Sequence, residues 1–505
     1  MLDKPRVLVG RPSAAVETNC ACPDNGLLPA LYSPVEENCA YPDDGLLSAC
    51  PSASVSSSIW QVAADLYRTP LTDHHELIFN PFGRLNIAVL NRPARHILDS
   101  FSAPRPLEAS VELAGITHAD ISATARQLIE LGLLQPPGYR PQPVRAQPAT
   151  LTAWMHVTNA CNLRCSYCYI HKSDEAMDET TGRAAVAAVF RSAVRNGFRA
   201  VKLKYAGGEA TLNFRLVQEL HHYATELAAQ TGLELHESIL SNGVALTRAM
   251  IAFMRDTGMR LMISLDGVGA THDAQRTFIN GRGSFVQVAR AIERAVQHGL
   301  SPDLSITVTG GSADMLPEAV TFALDRGLRF NLNFYRENDC SASHADLLAD
   351  QYRLIAGMRA AFAVIEERLP RQRLIDGLVD RSSFDQPHEH ACGAGHSYMV
   401  IDQRGRVARC QMEIERPIAD VLADDPLQVI RLESSGYQNV PVTDKVGCRD
   451  CSWRYWCAGG CSLLTFRATG RSDVQSPYCN VYKALYPDAI RLEGLRLLKW
   501  ADSAS

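Results

Sequence analysis

Three features are scarce in this chain of 505 residues: long apolar runs, an excess of one charge, and an export signal. No apolar stretch approaches the ~20 residues that span a bilayer, so membrane insertion is not expected. Lys and Arg number 50 against 55 Asp and Glu, a net charge of −5. That balance supplies no general field for nucleic acid or an anionic membrane, although a local basic patch stays open. The N-terminus, MLDKPRVLVGRPSAAVETN, holds one short apolar stretch before turning polar and makes a poor signal peptide. A cytoplasmic protein with neither membrane nor nucleic-acid partners is expected. The remaining composition, 46% hydrophobic and 21% charged, is that of a soluble globular protein with room for about two to four domains.

Cysteine, by contrast, is abundant. Fifteen occur, and their clustering at metal-ligand spacings without a secretion signal favours metal binding over disulfides. The most informative cluster is Cys161-Asn-Leu-Arg-Cys165-Ser-Tyr-Cys168. Four such thiols fill the corners of an iron–sulfur cube. Three leave one iron without a protein ligand, open to bind and reduce a small molecule. The plainer alternative is structural zinc, closed by a fourth ligand such as His156 or His171.

Residues 1–57 are rich in Pro, Ser, Ala and Asp/Asn without sustained periodicity and read as largely disordered. They contain an internal repeat: Asn19-Cys-Ala-Cys-Pro-Asp-Asn-Gly-Leu-Leu-Pro-Ala30 recurs as Asn38-Cys-Ala-Tyr-Pro-Asp-Asp-Gly-Leu-Leu-Ser-Ala49. Two copies are too few for a solenoid. A duplicated linker and a tethered, substrate-like or inhibitory peptide both account for it. Residues 58–140 predict a small α+β module: two short strands around a turn within 77–90, then a helix capped by Asn91 with Pro93 in its first turn. A second helix follows, capped by Thr117 or Asp120 and stopped by Gly132. The Pro-rich stretch 135–149, QPPGYRPQPVRAQPA, is the clearest domain boundary.

From 150 to 335 strand-like runs alternate with helical ones. Strands are predicted at 151–157, 200–205, 235–241, 260–265, 303–309 and 329–335, and helices at 179–196, 212–230, 246–256, 285–298 and 314–326. The fold class is therefore α/β, a partial (β/α)6 TIM-like barrel whose functional groups belong at the carboxyl ends of the strands. Cys161–Cys168 falls after strand one, Gly207-Gly208-Glu209 after strand two and Ser241-Asn242-Gly243 after strand three, while Ser264-Leu-Asp266-Gly267 ends strand four.

In that order these motifs resemble the radical S-adenosylmethionine (SAM) superfamily. The resemblance implies that Cys161, Cys165 and Cys168 hold a [4Fe–4S] cluster whose open iron chelates SAM. Gly207 and Gly208 would let backbone approach the methionine moiety, and Glu209 would accept from its ammonium. Arg276 would fork onto its carboxylate. Ser264 would meet the ribose, Tyr167 the adenine side, and Ser241 joins these cofactor contacts. Plainer roles exist for two of them, a surface salt bridge for Arg276 and a helix N-terminal carboxylate for Glu209. The implied chemistry is reductive cleavage of the sulfonium to methionine and a 5′-deoxyadenosyl radical that abstracts hydrogen from an unreactive C–H bond.

A second array reads Cys392, Cys410, Cys448-x2-Cys451-x5-Cys457-x3-Cys461 and Cys479. It resembles the cysteine-rich SPASM domain of radical SAM maturases, with a zinc ribbon as the alternative for Cys448 to Cys461. The resemblance places one auxiliary [4Fe–4S] cluster on Cys448, Cys451, Cys457 and Cys479, and another on Cys392, Cys410 and Cys461. No Cys lies between Cys392 and Cys410, so the second has an open iron unless Cys340, His388, His390 or His396 closes it, or a substrate group binds there. Gln411 stands where sulfatase-maturating relatives carry an acidic base, which counts against formylglycine formation. Glu413 and Glu415 are the nearby carboxylates for deprotonating a product radical or a nucleophile, or else solvated strand residues.

The expected division is a disordered segment 1–57, a winged-helix module 58–140, the radical SAM core 150–335, a helical insertion 336–387, the SPASM domain 388–483 and a closing helix 484–505. The module resembles winged-helix peptide-recognition domains, in which a leader peptide adds as a strand to an exposed sheet edge. A ligand-free spacer and a DNA reader are its alternatives. The whole resembles radical SAM/SPASM peptide maturases, related to the sulfatase-maturating and PQQ- and mycofactocin-type enzymes. Its expected partners are a leader-bearing precursor peptide and a reductase, ferredoxin or flavodoxin. The expected reaction is an intramolecular C–C or thioether cross-link in a ribosomally made peptide. Side-chain oxidation or epimerisation of a peptide or folded protein is the second expectation, and a non-catalytic iron–sulfur or zinc peptide scaffold the third.

Overall fold

The computed structural model describes residues 4–10, 59–83, 86–109, 113–139, 148–341, 345–385 and 387–501. Its centre is a run of six parallel strands: β1 (Thr150–His156), β2 (Ala200–Ala206), β3 (Glu234–Ser241), β4 (Arg260–Ser264), β5 (Asp303–Val308) and β6 (Phe330–Phe334). They neighbour one another in chain order. β1 and β2 are buried along their whole length, as a sheet covered on both faces requires. Their register sets Ala200 opposite Thr150 and Ala206 opposite His156, so both strands end level. The crossover helices are α1 (Glu179–Arg195), α2 (Phe214–Thr231), α3 (Arg248–Thr257), α4 (Phe285–Gln297) and α5 (Leu316–Asp325). Asp178 caps α1 through the Thr181 amide at 2.7 Å, and Thr247 caps α3 through the Met250 amide at 3.2 Å.

The sheet does not stop at six strands. β7 (Tyr398–Ile401) adds to β1 in parallel, and β8 (Arg406–Ala408) and β9 (Ala419–Asp420) continue antiparallel, making nine. The cysteine-rich C-terminal part thus shares a sheet with the barrel strands. β8 runs back along β7 from Ile401 toward Tyr398, and Cys410 follows two residues beyond its end.

The N-terminal part is a sheet in the order Val7–Val9, Ile87–Asn91, His75–Phe79, Tyr67–Thr72, all antiparallel. Asn91 caps the helix Arg92–Ser100 through the Ala94 amide, and Thr117 caps His118–Glu130 through the Asp120 amide at 3.1 Å. Within the segment 1–57, read as largely disordered, residues 4–10 are described and Val7–Val9 is a paired strand. The apolar triplet Val-Leu-Val gives no periodic signal alone, and its order comes from an edge contributed some 80 residues later. The repeat at Asn19–Ala49 lies outside the described residues, as does most of the Pro-rich boundary.

The C-terminal helix α6 (Cys479–Trp500) locks these parts together. A Cβ on Gly494 would stand 2.8 Å from Leu77 of the N-terminal sheet, so glycine permits the close approach. Phe79 stacks on Trp453 at 5.3 Å and meets Trp456 edge-on at 5.1 Å. Burying side chains such as Leu77 and Phe79 contributes roughly 1.5–3 kcal/mol each.

Candidate active site

The loop from β1 into Cys161 is shaped by the glycine turn that follows β2. Gly208 donates to Thr158 O at 2.7 Å and Glu209 to Ala160 O at 2.9 Å. A Cβ on Gly207 would lie 2.4 Å from Thr158 O, and one on Gly208 2.4 Å from Ala160 O. Only glycine allows these backbones to touch, so the pair fixes the course of the chain entering the first thiol.

The thiols are then held by a two-stranded ribbon. Leu163–Cys165 pairs antiparallel with Arg276–Phe278, setting Arg276 opposite Cys165. Ser166 continues the ladder, donating to Gln275 O at 3.0 Å. Burial pushes the Cys165 thiol up to about 12, opposed by the Arg276 guanidinium. Cys161 is raised by burial too, with Lys172 acting against it. Lys172 Nζ stands 2.8 Å from Cys168 Sγ. All three thiols lie within electrostatic reach of one another.

Arg276 is buried and does not stand alone. Its Nη1 bonds the Tyr167 hydroxyl and reaches Asp266 Oδ2 at 3.4 Å, and Tyr167 donates to the same carboxylate oxygen. Asp266 Oδ1 accepts from the Thr307 amide at 2.8 Å, which anchors the group to β5. Tyr167, placed on the adenine side by resemblance, is therefore engaged through its hydroxyl with the arginine. The Asp266 amide donates to His272 Nδ1 at 3.3 Å, which leaves the ring proton on Nε2, 3.0 Å from Ser284 Oγ. Burial lowers His272 to about 3, so the ring is neutral.

Glu209 sits at the centre of the next turn. Its Oε1 accepts from the Thr211 amide at 3.1 Å and from Ser241 Oγ at 2.8 Å, while Oε2 accepts from the Asn242 amide at 2.6 Å. Ser241 is thereby turned toward Glu209 and takes the Gly243 amide at 2.9 Å. Asn242 reaches Asn162 Oδ1 at 2.7 Å and Cys161 Sγ at 3.8 Å. Ser264 ends β4, half-buried, in register with Ser305.

These residues fit a cube and an amino acid. Burial raises the Cys161 and Cys165 thiols, a cost of ionisation that a bound cation would recover. Among the described residues no three His, Cys, Asp or Glu side chains converge on one metal ion. A cube asks for a different arrangement, one thiolate per iron. Arg276 Nε is buried without a partner, a donor aimed for a carboxylate, and Glu209 Oε2 accepts one donor and has capacity for an ammonium.

The C-terminal thiols form two groups. Cys448, Cys451, Cys457 and Cys479 act on one another, and Cys410 is influenced by Cys461 and Cys392. Burial pushes Cys448 up to about 11 and Cys457 and Cys410 up to about 12. The buried Lys445 lies between the groups, within reach of Cys448, Cys457, Cys392 and Cys461, with its ammonium on Ala458 O at 3.1 Å. Tyr169, in turn, is flanked by Cys168 and Cys410.

Cys340 is brought elsewhere. It lies 3.4 Å from His171 Nε2, and the thiol acting on it is Cys168. The His390 and His396 rings stand 4.1 Å apart, with His396 on Asn439 O at 3.2 Å and Asn439 donating to Cys392 O at 2.7 Å. Gln411 is buried and takes the Tyr398 hydroxyl at 3.0 Å. Glu413 is ion-paired to Arg467 at 2.9 Å and Arg416 at 3.6 Å, and Glu415 is exposed. Asp266, Lys172 and Asn439 were not singled out as site residues in the sequence. Asp266 lies inside the Ser264-Leu-Asp266-Gly267 motif at the end of β4, the one sequence signal that marks it.

A family model described as the Radical SAM superfamily matches residues 155–323. The chain is 25% identical over 370 residues to a serine-type anaerobic sulfatase-maturating enzyme of Klebsiella aerogenes, covering 67% of this chain and 86% of that one. It is 24% identical over 277 residues to the antilisterial bacteriocin subtilosin biosynthesis protein AlbA of Bacillus subtilis, covering 52% of this chain and 56% of AlbA. Its fold is similar to that of a solved anSMEcpe structure with bound AdoMet and Cp18Cys peptide, with a TM-score of 0.55, 18% identity, 70% of this chain covered and 100% of that one.

Proposed function

We propose, for a chain that carries a radical SAM domain over residues 155–323, that it modifies a ribosomally made peptide by forming an intramolecular C–C or thioether cross-link. The observation that carries this reading is the ribbon register that sets Arg276 opposite Cys165, bringing a carboxylate-binding cation beside the thiol triplet. When bound, the cluster on Cys161, Cys165 and Cys168 and its SAM supply a hydrogen-abstracting 5′-deoxyadenosyl radical, using one electron that the closing cross-link returns. Arg276, held by Tyr167 and Asp266, orients the SAM carboxylate, and Glu209 its ammonium. Gly207 and Gly208 leave room for the methionine backbone, while Ser264 and Ser241 line the turns beside it.

Cys448, Cys451, Cys457 and Cys479 hold one auxiliary cluster and Cys392, Cys410 and Cys461 the other, forming a SPASM-type domain. The electron donor is a reductase, ferredoxin or flavodoxin, and the compartment is the cytoplasm. Among the described residues no helix is long and apolar enough to cross a membrane. The names of the relatives support a peptide or protein substrate. Side-chain oxidation of the sulfatase-maturating kind is disfavoured because Gln411 is a buried amide hydrogen-bonded to Tyr398 and cannot take a proton. Glu413 is occupied by two arginines, which leaves Glu415 as the freer carboxylate for proton removal. Anaerobic incubation with reductant and SAM tests the reading. It requires 5′-deoxyadenosine together with a peptide lighter by two hydrogens. An unchanged peptide mass with inverted stereochemistry would establish epimerisation instead, and no 5′-deoxyadenosine would remove both.

A further inference from the structure

Cys392, Cys410 and Cys461 supply three thiols, and an iron–sulfur cube has four corners. Cys340 does not close the set, because it faces His171 and Cys168 instead. The structure brings a different side chain to these thiols. Tyr437 packs with Cys410 and Cys461 in one buried cluster. The groups that act on its phenol, beyond burial itself, are the Cys410, Cys392 and Cys461 thiols and the Arg409 guanidinium. Tyr437 is 4% exposed, and its hydroxyl is buried without a hydrogen-bond partner. Stripping a hydroxyl of water without replacing its bonds is costly, and native proteins seldom leave such a group without a use.

The loop that carries Tyr437 is fastened to each of the three thiol-bearing segments. Arg409, the neighbour of Cys410, donates to Glu433 O at 2.7 Å, to Ser435 O at 3.4 Å and to Tyr437 O. Its guanidinium also lies 5.3 Å from the centre of the Tyr437 ring. Two residues further on, Asn439 Nδ2 donates to Cys392 O at 2.7 Å and to Ala394 O at 2.9 Å. Asn439 Oδ1 accepts from Ser462 Oγ, beside Cys461, at 2.8 Å. The tyrosine therefore stands where the three segments meet, and its own hydroxyl takes no part in holding them. Cations surround the place. Arg336 and Arg381 act on Cys461, Arg381 on Cys410, and Lys445 on Cys392 and Cys461. Asp380, on Arg336 at 2.5 Å, is a carboxylate among them. These charges compensate an oxygen anion that burial alone would not admit.

We propose that Tyr437 is the fourth ligand of the auxiliary cluster on Cys392, Cys410 and Cys461, bound through its phenolate oxygen. This rests on the reading above that those thiols hold a cluster. The iron–oxygen bond forms as the hydroxyl proton passes to solvent, and no electron moves, since protein ligands bind metals in their deprotonated form. Tyrosine oxygen is a ligand that iron accepts in haem proteins. Four protein ligands leave no corner for a substrate thiol or amide, so this cluster takes part by accepting an electron and not by holding the peptide. A search of the sequence for cysteine and histidine passes over the residue, because only the folded loop brings it to the thiols.

Two measurements on the anaerobically reconstituted full chain test it, both in a Cys161→Ala background that removes the SAM-binding cluster. Resonance Raman spectra excited in the charge-transfer band should contain phenolate ring modes that shift when the chain is made with ring-deuterated tyrosine. The modes should vanish in Tyr437→Phe, which keeps the ring and loses only the oxygen. Their absence from the Cys161→Ala chain, or their survival in Tyr437→Phe, overturns the assignment. The first of these results needs no change at Tyr437, so a folding defect in Tyr437→Phe cannot mask it. Cyanide, a ligand for an open iron, should bind the Tyr437→Phe chain at least tenfold more tightly, read from the electron paramagnetic resonance of the reduced auxiliary clusters. An equal response in the two chains, whether binding or none, overturns the assignment. Cys410→Ala reports on the underlying reading and should lower iron and sulfide by one cluster. Unchanged content defeats the cluster and its tyrosine ligand together, whereas a lost cluster without phenolate modes in its parent overturns Tyr437 alone.

Discussion

Gly208 places the sharpest demand on a single residue. An added Cβ would stand 2.4 Å from Ala160 O and 2.5 Å from Asn159 O, so Gly208→Ala must push aside the segment leading into Cys161. The thiols themselves are untouched. The expected outcome is SAM binding weakened by at least about tenfold, ~1.4 kcal/mol, with iron content unchanged. Equilibrium binding beside iron analysis checks it, and parallel loss of both would place the glycine in folding. Two histidines make a pH statement. Burial lowers His156 to about 4 and His272 to about 3. The unfolded chain takes up these protons below about pH 6.5 while the folded chain does not, so stability falls as pH drops from there toward 4, by up to about 1.4 kcal/mol per pH unit for each ring. Denaturant melts should show this slope, and His272→Asn should reduce it. An unchanged slope would mean that His272 is not held neutral in the fold.

At the scale of elements, the ribbon of Leu163–Cys165 on Arg276–Phe278 is the smallest and the most consequential. Its bonded pairs recur every second residue from Ser166 and Gln275, which makes Thr277 a donor to the thiol loop. Thr277→Pro should release the loop and cost one cluster's iron, leaving the auxiliary clusters in place; iron and sulfide analysis would show full content if the ribbon were incidental. No sequence pattern announces this ribbon, because three-residue strands carry no period and owe their existence to pairing across more than a hundred positions. Val7–Val9 and β7 to β9 were illegible for the same reason. The six barrel strands were legible to within a residue or two, since apolar runs bounded by capped helices repeat at βα spacing. Of the site, the thiols and glycines were readable as motifs. Their partners were not: Tyr167 meets Asp266 across 99 positions, a contact made by two loops that only the assembled sheet brings together.

For the whole molecule, the sheet that carries β1 also carries β7 and β8, so the thiol triplet and Cys410 belong to one rigid framework, with Tyr169 between Cys168 and Cys410. Lys445, between the two C-terminal thiol groups, places a cation where clusters of thiolates would concentrate negative charge. The C-terminal helix, pressed on the N-terminal sheet through Gly494 and Leu77, fixes the paired strand Val7–Val9 relative to the barrel. On the proposed function, the residues that would hold SAM and those that would hold the auxiliary clusters thereby belong to one body. The most direct test of this account is the electron paramagnetic resonance spectrum of the anaerobically reconstituted, reduced protein before and after SAM is added. The account predicts a cluster signal that changes on addition and that disappears, with its response to SAM, in Cys161→Ala. A spectrum indifferent to SAM, or a response that survives Cys161→Ala, would contradict it.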